Sequence, residues 1–177
     1  VYVNFDDWQS ANEAQQHVLP IHPGYFCEPQ VFWFEPQRQW YLICQAASEA
    51  WGEPHYRPAY ATTRTIGDPD SWTSLQPLYD QPPGKGKAGL DFWVICDSQQ
   101  AYLFYTSLDG RMWRSSTSLA EFPRGWGTPS VALQDDIFEA SHTYRVRGKP
   151  LYLTVVEAQH GHGWRYFKAY TATSLDG

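Results

Sequence analysis

An internal repeat constrains this chain more than any other feature. Three aromatic-rich runs begin near Val31 (VFWF), Phe92 (FWVIC) and Phe138 (FEASHTYRV), each followed by a short polar turn at 35–39, 97–100 and 147–150. A second apolar run follows each turn: WYLICQ from Trp40, AYLFYT from Ala101 and LYLTVVE from Leu151. A third run comes next: YRPAYATT from Tyr56, RMWRSST from Arg111 and RYFKAYTATS from Arg165. The first two copies close on a Trp…Pro segment, Trp72–Leu78 and Trp126–Val131. Groups of four short strands recurring about every 50–60 residues are the pattern of propeller blades. No window sustains the apolar spacing of a helix over three turns, and residues 10–17 read as loop or one turn. The expected fold is therefore all-β, a β-propeller. Residues 1–20 read as the tail of an earlier blade, and the last copy stops before its closing strand. The expectation is the tail of one blade, two whole blades and most of a fourth, with the chain truncated at both ends.

Charge and composition exclude several classes. The chain has 13 Lys+Arg against 19 Asp+Glu, a net charge of −6. Without a basic run it offers no nucleic-acid surface. Its purely apolar stretches reach about five residues, where a membrane helix needs about 20. Residues 1–20 show no charged segment followed by an apolar core, so no signal peptide is visible. Nine Trp, 12 Tyr and nine Phe make up 17% of the chain. Such rings suit strands and form stacking platforms for sugars. Cys27, Cys44 and Cys96 lack metal-ligand spacing and read as small buried hydrophobes; a Cys27–Cys44 bridge stays open.

The repeat also places candidate chemistry. In a blade the innermost strand runs antiparallel to the second. Counting outward from the turns pairs Glu28 with about Ala46, Asp91 with about Thr106 and Glu139 with about Ala158. Glu28, Gln45, Asp91, Thr106, Glu139 and Glu157 should then gather at one rim of the channel, with a carboxylate at the equivalent position of three repeats. Channel mouths bind ligands, and paired carboxylates there can do acid/base work. The plainer alternative is a solvated or turn-capping group. It is weaker for Asp91 and Glu139, because each sits in an apolar run where an unpaired buried charge is costly. His142 is either a hydrogen-bonded core residue or faces the channel. His160-Gly-His162 reads as a polar turn rather than a chelate.

Several segments carry a resemblance. Gly89-Leu-Asp-Phe-Trp-Val-Ile-Cys-Asp97, the run from Gly110 to Gly127 with its Arg-Ser and Phe-Pro steps, Ile137-Phe-Glu-Ala140 and the stretch from Arg165 to Gly177 resemble glycoside hydrolase family 62, the α-L-arabinofuranosidases of arabinoxylan breakdown. Family 43 shares a looser version, including a Glu-x-x-His step like Glu139–His142. The resemblance implies a five-bladed propeller, a secreted enzyme that is monomeric when complete, and inverting removal of arabinofuranosyl groups. It places Glu139 on the general acid and Asp91 on the carboxylate that tunes it. It implies an Asp base on a strand preceding Val1. It implies sugar contacts from Glu28, Gln45, Phe92, His142 and Glu157. Where the family has Gln-Trp this chain reads Gln45-Ala46, and Trp51 in the following loop is the candidate replacement. No metal is required for the chemistry, although a structural calcium in the channel is implied. The alternative function is a non-catalytic carbohydrate-binding propeller.

Overall fold

The computed structural model describes residues 1–47, 56–79, 89–161 and 163–177. Among the described residues, thirteen strands fall into antiparallel sheets of two, four, four and three strands, in sequence order. The small pair is β1 (Tyr2–Val3) with β2 (Gln16–His17). The first large sheet runs β3 (Phe26–Phe34), β4 (Gln39–Ala47), β5 (Tyr56–Thr63) and β6 (Gln76–Pro77). The second runs β7 (Leu90–Cys96), β8 (Gln100–Thr106), β9 (Arg111–Ser118) and β10 (Ser130–Gln134). The third is β11 (Ile137–Arg145), β12 (Tyr152–His160) and β13 (Trp164–Ala172). These sheets coincide with the repeat units, and among the described residues they form an open row rather than a closed ring. No helix among these residues is long and apolar enough to cross a membrane.

The near-continuous apolar runs of β4 and β8 have a simple cause: both sheets are buried on both faces. Successive side chains of a strand point to opposite faces. Tyr41 and Ile43 of β4 therefore meet Phe92, Val94, Leu103 and Tyr105 of the second sheet, closed by Phe122. Leu42, Cys44 and Ala46, on the other face of β4, pack with Ile21, Trp72 and Leu75. In β8 the alternation repeats, with Tyr102 and Phe104 turned toward Met112, Ile137 and Val156. Tight approach fixes Gly89 as well: a Cβ there would lie 2.3 Å from the Tyr105 ring. All three cysteines are free, so the Cys27–Cys44 bridge is not formed.

The innermost strands lock to one another through side chains. β7 lies against β3 on one side and β11 on the other. The amide of Gln30 reads the backbone of Val94 twice, donating to its carbonyl at 2.6 Å and accepting from its N–H at 2.7 Å. One sheet further on, Trp93 Nε1 donates to the Thr143 carbonyl at 2.8 Å. Both contacts run from a residue in one strand to the same relative place in the next.

Gln30→Leu keeps most of the bulk but leaves two buried backbone groups of Val94 unpaired, each worth about 1–3 kcal/mol. Urea unfolding should show a loss of at least about 2 kcal/mol. A loss below about 0.5 kcal/mol would mean that the contact is not needed to lock the sheets.

Candidate active site

Each innermost strand carries the same irregularity near its start. Between Cys27↔Gln45 and Gln30↔Ile43, strand β3 advances three residues while its partner advances two. The same extra residue lies between Leu90↔Thr106 and Trp93↔Phe104, and between Glu139↔Glu157 and His142↔Val155. The residue after the first pair is left-handed in all three: Glu28 at φ 53°, Asp91 at φ 56° and Ala140 at φ 54°. Bulges of this kind re-aim side chains and collect beside functional sites. None of the three is glycine, so each holds a conformation that L residues adopt at a cost.

The bulge corrects the register expected from counting. Ala46 faces Phe26 rather than Glu28, Thr106 faces Leu90, and Ala158 faces Ile137. It also corrects the expected equivalence of the carboxylates. Glu28 and Asp91 do share a position, but the third sheet has Ala140 there. Glu139 sits one residue earlier, at the position of Cys27 and Leu90, because a further residue enters β11 between Ile137 and Glu139.

That offset places the two principal carboxylates in contact through the backbone. Asp91, only 7% exposed, accepts the Ala140 N–H through Oδ2 at 2.6 Å. The Asp91 N–H in turn donates to Gln45 Oε1 at 3.4 Å. Gln45, Asp91 and the peptide following Glu139 thus form a chain across three sheets. Burial raises the Asp91 carboxyl above its ordinary value against the pull of the Ala140 N–H; the charge of Glu28 adds to the rise and His142 opposes it. Glu139 is likewise raised, first by burial and then by Asp91 and Glu157, while Arg165 lowers it.

The remaining predicted residues divide. Glu157 lies directly across from Glu139. His142 is half-buried and stacked on Trp93, with ring centroids 4.3 Å apart, and its Nδ1 lies 3.3 Å from the Tyr144 hydroxyl. Burial lowers its proton affinity, with Asp91 opposing. Glu28 is exposed at its bulge. Phe92 does not join the group: it is 4% exposed and packs on Tyr105 in the core, because the bulge turns it away from the rim. Trp51 and His162 lie outside the described residues. Among the described residues no three His, Cys, Asp or Glu side chains are arranged to hold a metal ion.

Arg165 was not singled out by the sequence. Its Nη1 bonds Glu139 Oε1 and Glu157 Oε1, both at 3.0 Å. Its signal was positional: Glu157 faces Phe167 on β13, so Arg165, two residues away, is the diagonal neighbour on the same face.

A model of glycosyl hydrolase family 62 matches residues 1–177. The chain belongs to this family. It is 38% identical over 185 residues to alpha-L-arabinofuranosidase C of Cellvibrio japonicus, an alignment covering 100% of this chain and 27% of that protein. It is similar to the catalytic domain of a family 62 α-L-arabinofuranosidase of Coprinopsis cinerea, with a TM-score of 0.84 and 38% identity over 98% of this chain and 56% of that one. A family 62 hydrolase solved in complex with xylotriose gives a TM-score of 0.83 and 36% identity, covering 99% of this chain and 58% of that one. The chain thus spans little more than half the length of these solved relatives.

The Asp91 clamp can be read directly by hydrogen exchange. Asp91→Asn keeps an acceptor and should preserve protection of the Ala140 amide. Asp91→Ala should accelerate its exchange at least about tenfold, the equivalent of about 1.4 kcal/mol. Equal protection in both variants would remove the clamp.

Proposed function

We propose that this chain carries the acid side of an α-L-arabinofuranosidase site, within a five-bladed β-propeller catalytic domain that removes arabinofuranosyl side groups from arabinoxylan with inversion. The observation that carries this reading is Glu139, its proton affinity raised first by burial and then by Asp91 and Glu157, in a chain of this family. Support for the polymer comes from the relative solved with xylotriose, a fragment of a xylan backbone. On this reading the partner is a plant cell-wall polysaccharide, and the enzyme acts outside the cell as a secreted monomer.

The chemistry follows from two carboxyl groups on opposite sides of the glycosidic bond. Protonated Glu139 gives its proton to the leaving xylan oxygen as the bond to the arabinose carbon breaks. A second carboxylate takes a proton from water, which attacks the far face of that carbon. Inversion needs the two carboxyls roughly 6.5–9.5 Å apart, to admit the water. The base is supplied from outside these residues. Glu28, Gln45 and His142 supply rim groups for sugar hydroxyls.

After burial, the charge of Asp91 is the next influence that favours the protonated form of Glu139, as a general acid needs. Asp91 is itself raised, first by burial and then by the charges of Glu28 and Glu157.

Three outcomes are expected. Residues 1–177 alone should not hydrolyse an aryl arabinofuranoside; turnover would show that the base lies within them. In the complete catalytic domain, Glu139→Gln should cut activity on arabinoxylan by about 10²–10⁴-fold while sugar binding persists. A loss of only about tenfold would assign the acid elsewhere. Asp91→Asn removes a negative charge that favours the protonated acid, so Glu139 should lose its proton earlier. The alkaline limb of the pH–rate profile then moves to lower pH, and activity falls more at neutral than at acidic pH. An unmoved limb would take Asp91 out of the tuning role.

A further inference from the structure

The proposed reaction needs one carboxyl to alternate between two states. Glu139 must hold a proton before the bond breaks and carry a charge afterwards. A guanidinium beside it favours the charged state and so works against the first requirement. The geometry around Arg165 resolves this conflict.

Arg165 is held at three points. Its guanidinium lies over the Phe138 ring, with Cζ 4.3 Å from the centroid. A single nitrogen, Nη1, makes both carboxylate contacts. The two acceptors therefore share one donor group. Glu139 and Glu157 face each other across β11 and β12, so the nitrogen passes from one to the other with little movement. Of the two carboxylates, Glu157 is the more enclosed, with its side chain 17% exposed against 29% for Glu139.

We propose that Arg165 is a positioning residue shared between Glu139 and Glu157, resting on Glu157 while Glu139 is protonated and moving onto Glu139 once its proton has gone to the leaving group. Glu157 is then the alternate seat of the guanidinium rather than a sugar contact. This proposal rests on the reading of Glu139 as the acid. The charged and titratable groups around Glu139 are Asp91 from the second sheet, Glu157 from β12 and Arg165 from β13. Glu28 and His142 act on it through Asp91. In this set the guanidinium is the one group that pulls the Glu139 proton affinity down by its charge, and Glu157 divides that pull.

The test is the titration of the Glu139 carboxyl by NMR on the 177-residue chain with carboxyl-labelled glutamate, the signal being identified by its loss in Glu139→Gln. This readout needs no turnover. Arg165→Gln should move the Glu139 titration to higher pH, by about half a unit to one unit at this partial exposure. Arg165→Lys keeps the charge without the planar fork and should fall between the two. Glu157→Gln should move the titration to lower pH, both because its own charge is lost and because the guanidinium is then left to Glu139 alone. Opposite displacements, with the Glu157→Gln displacement smaller in the Arg165→Gln background, support the shared guanidinium; an equal Glu157→Gln displacement in both backgrounds overturns it. A titration unmoved in Arg165→Gln, or one displaced in the same direction by both changes, overturns it and leaves Arg165 as a surface ion pair. In the complete catalytic domain the alkaline limb of the pH–rate profile should follow the same two directions. Failure of the assignment of the acid is seen separately, as near-normal turnover in Glu139→Gln, while the titration still decides whether the guanidinium is shared.

Discussion

The site depends on one hydrogen bond between neighbouring sheets, from the Ala140 N–H to the Asp91 carboxylate. Ala140 stands at a left-handed bulge, where its N–H is turned away from the β12 ladder. A backbone donor freed in this way needs a partner if it is to stay out of water. Asp91 supplies that partner from a bulge of its own. The clamp fixes the peptide next to Glu139, and so fixes the position of this proposed acid relative to Asp91. Packing of sheet on sheet and the placement of Glu139 beside Asp91 are therefore one event. Neither Asp91 nor Glu139 could be placed by its own sheet alone.

The repeat made the fold legible because each second strand is buried on both faces. Runs such as WYLICQ and AYLFYT are apolar without interruption only under that condition, and they set the spacing of the sheets. Asp91 and Glu139 were legible for the converse reason: a carboxylate inside such a run has to be accommodated. What counting could not reach was the bulge. An inserted residue changes no hydrophobic pattern strongly, yet it moves every pairing before it and turns Phe92 into the core. Glycine would have marked the bulge in sequence, but the three left-handed positions are Glu28, Asp91 and Ala140, and nothing in their composition announces a positive φ. Arg165 escaped notice for another reason. It belongs to the third strand of its sheet, and its contact with Glu139 spans two ladders.

The recurrence of the bulge gives each innermost strand two jobs. The residue just after it, Gln30 or Trp93, reaches sideways and hydrogen-bonds the next strand's backbone. The left-handed residue itself turns toward the rim. His142 occupies the first of these positions in the third sheet, and stacks back on Trp93 instead. A position used for assembly in two sheets thus comes under the charge of Asp91 in the one that carries Glu139.

Charge at the rim is unbalanced by construction. Glu28, Asp91, Glu139 and Glu157 bring four carboxylates together, and burial keeps His142 from adding a full positive charge. Four ionised carboxylates with one nearby guanidinium repel one another, and the repulsion is relieved when one of them holds a proton. Burial is the first cause of the raised proton affinities of Asp91 and Glu139, and the neighbouring carboxylates add to it. On the proposed reading the proton sits on Glu139, and its transfer to a leaving oxygen leaves a charge beside Arg165. After burial, Asp91 raises the proton affinity of Glu139 and Arg165 lowers it. Both of these opposing influences are set by side chains arriving from strands other than its own.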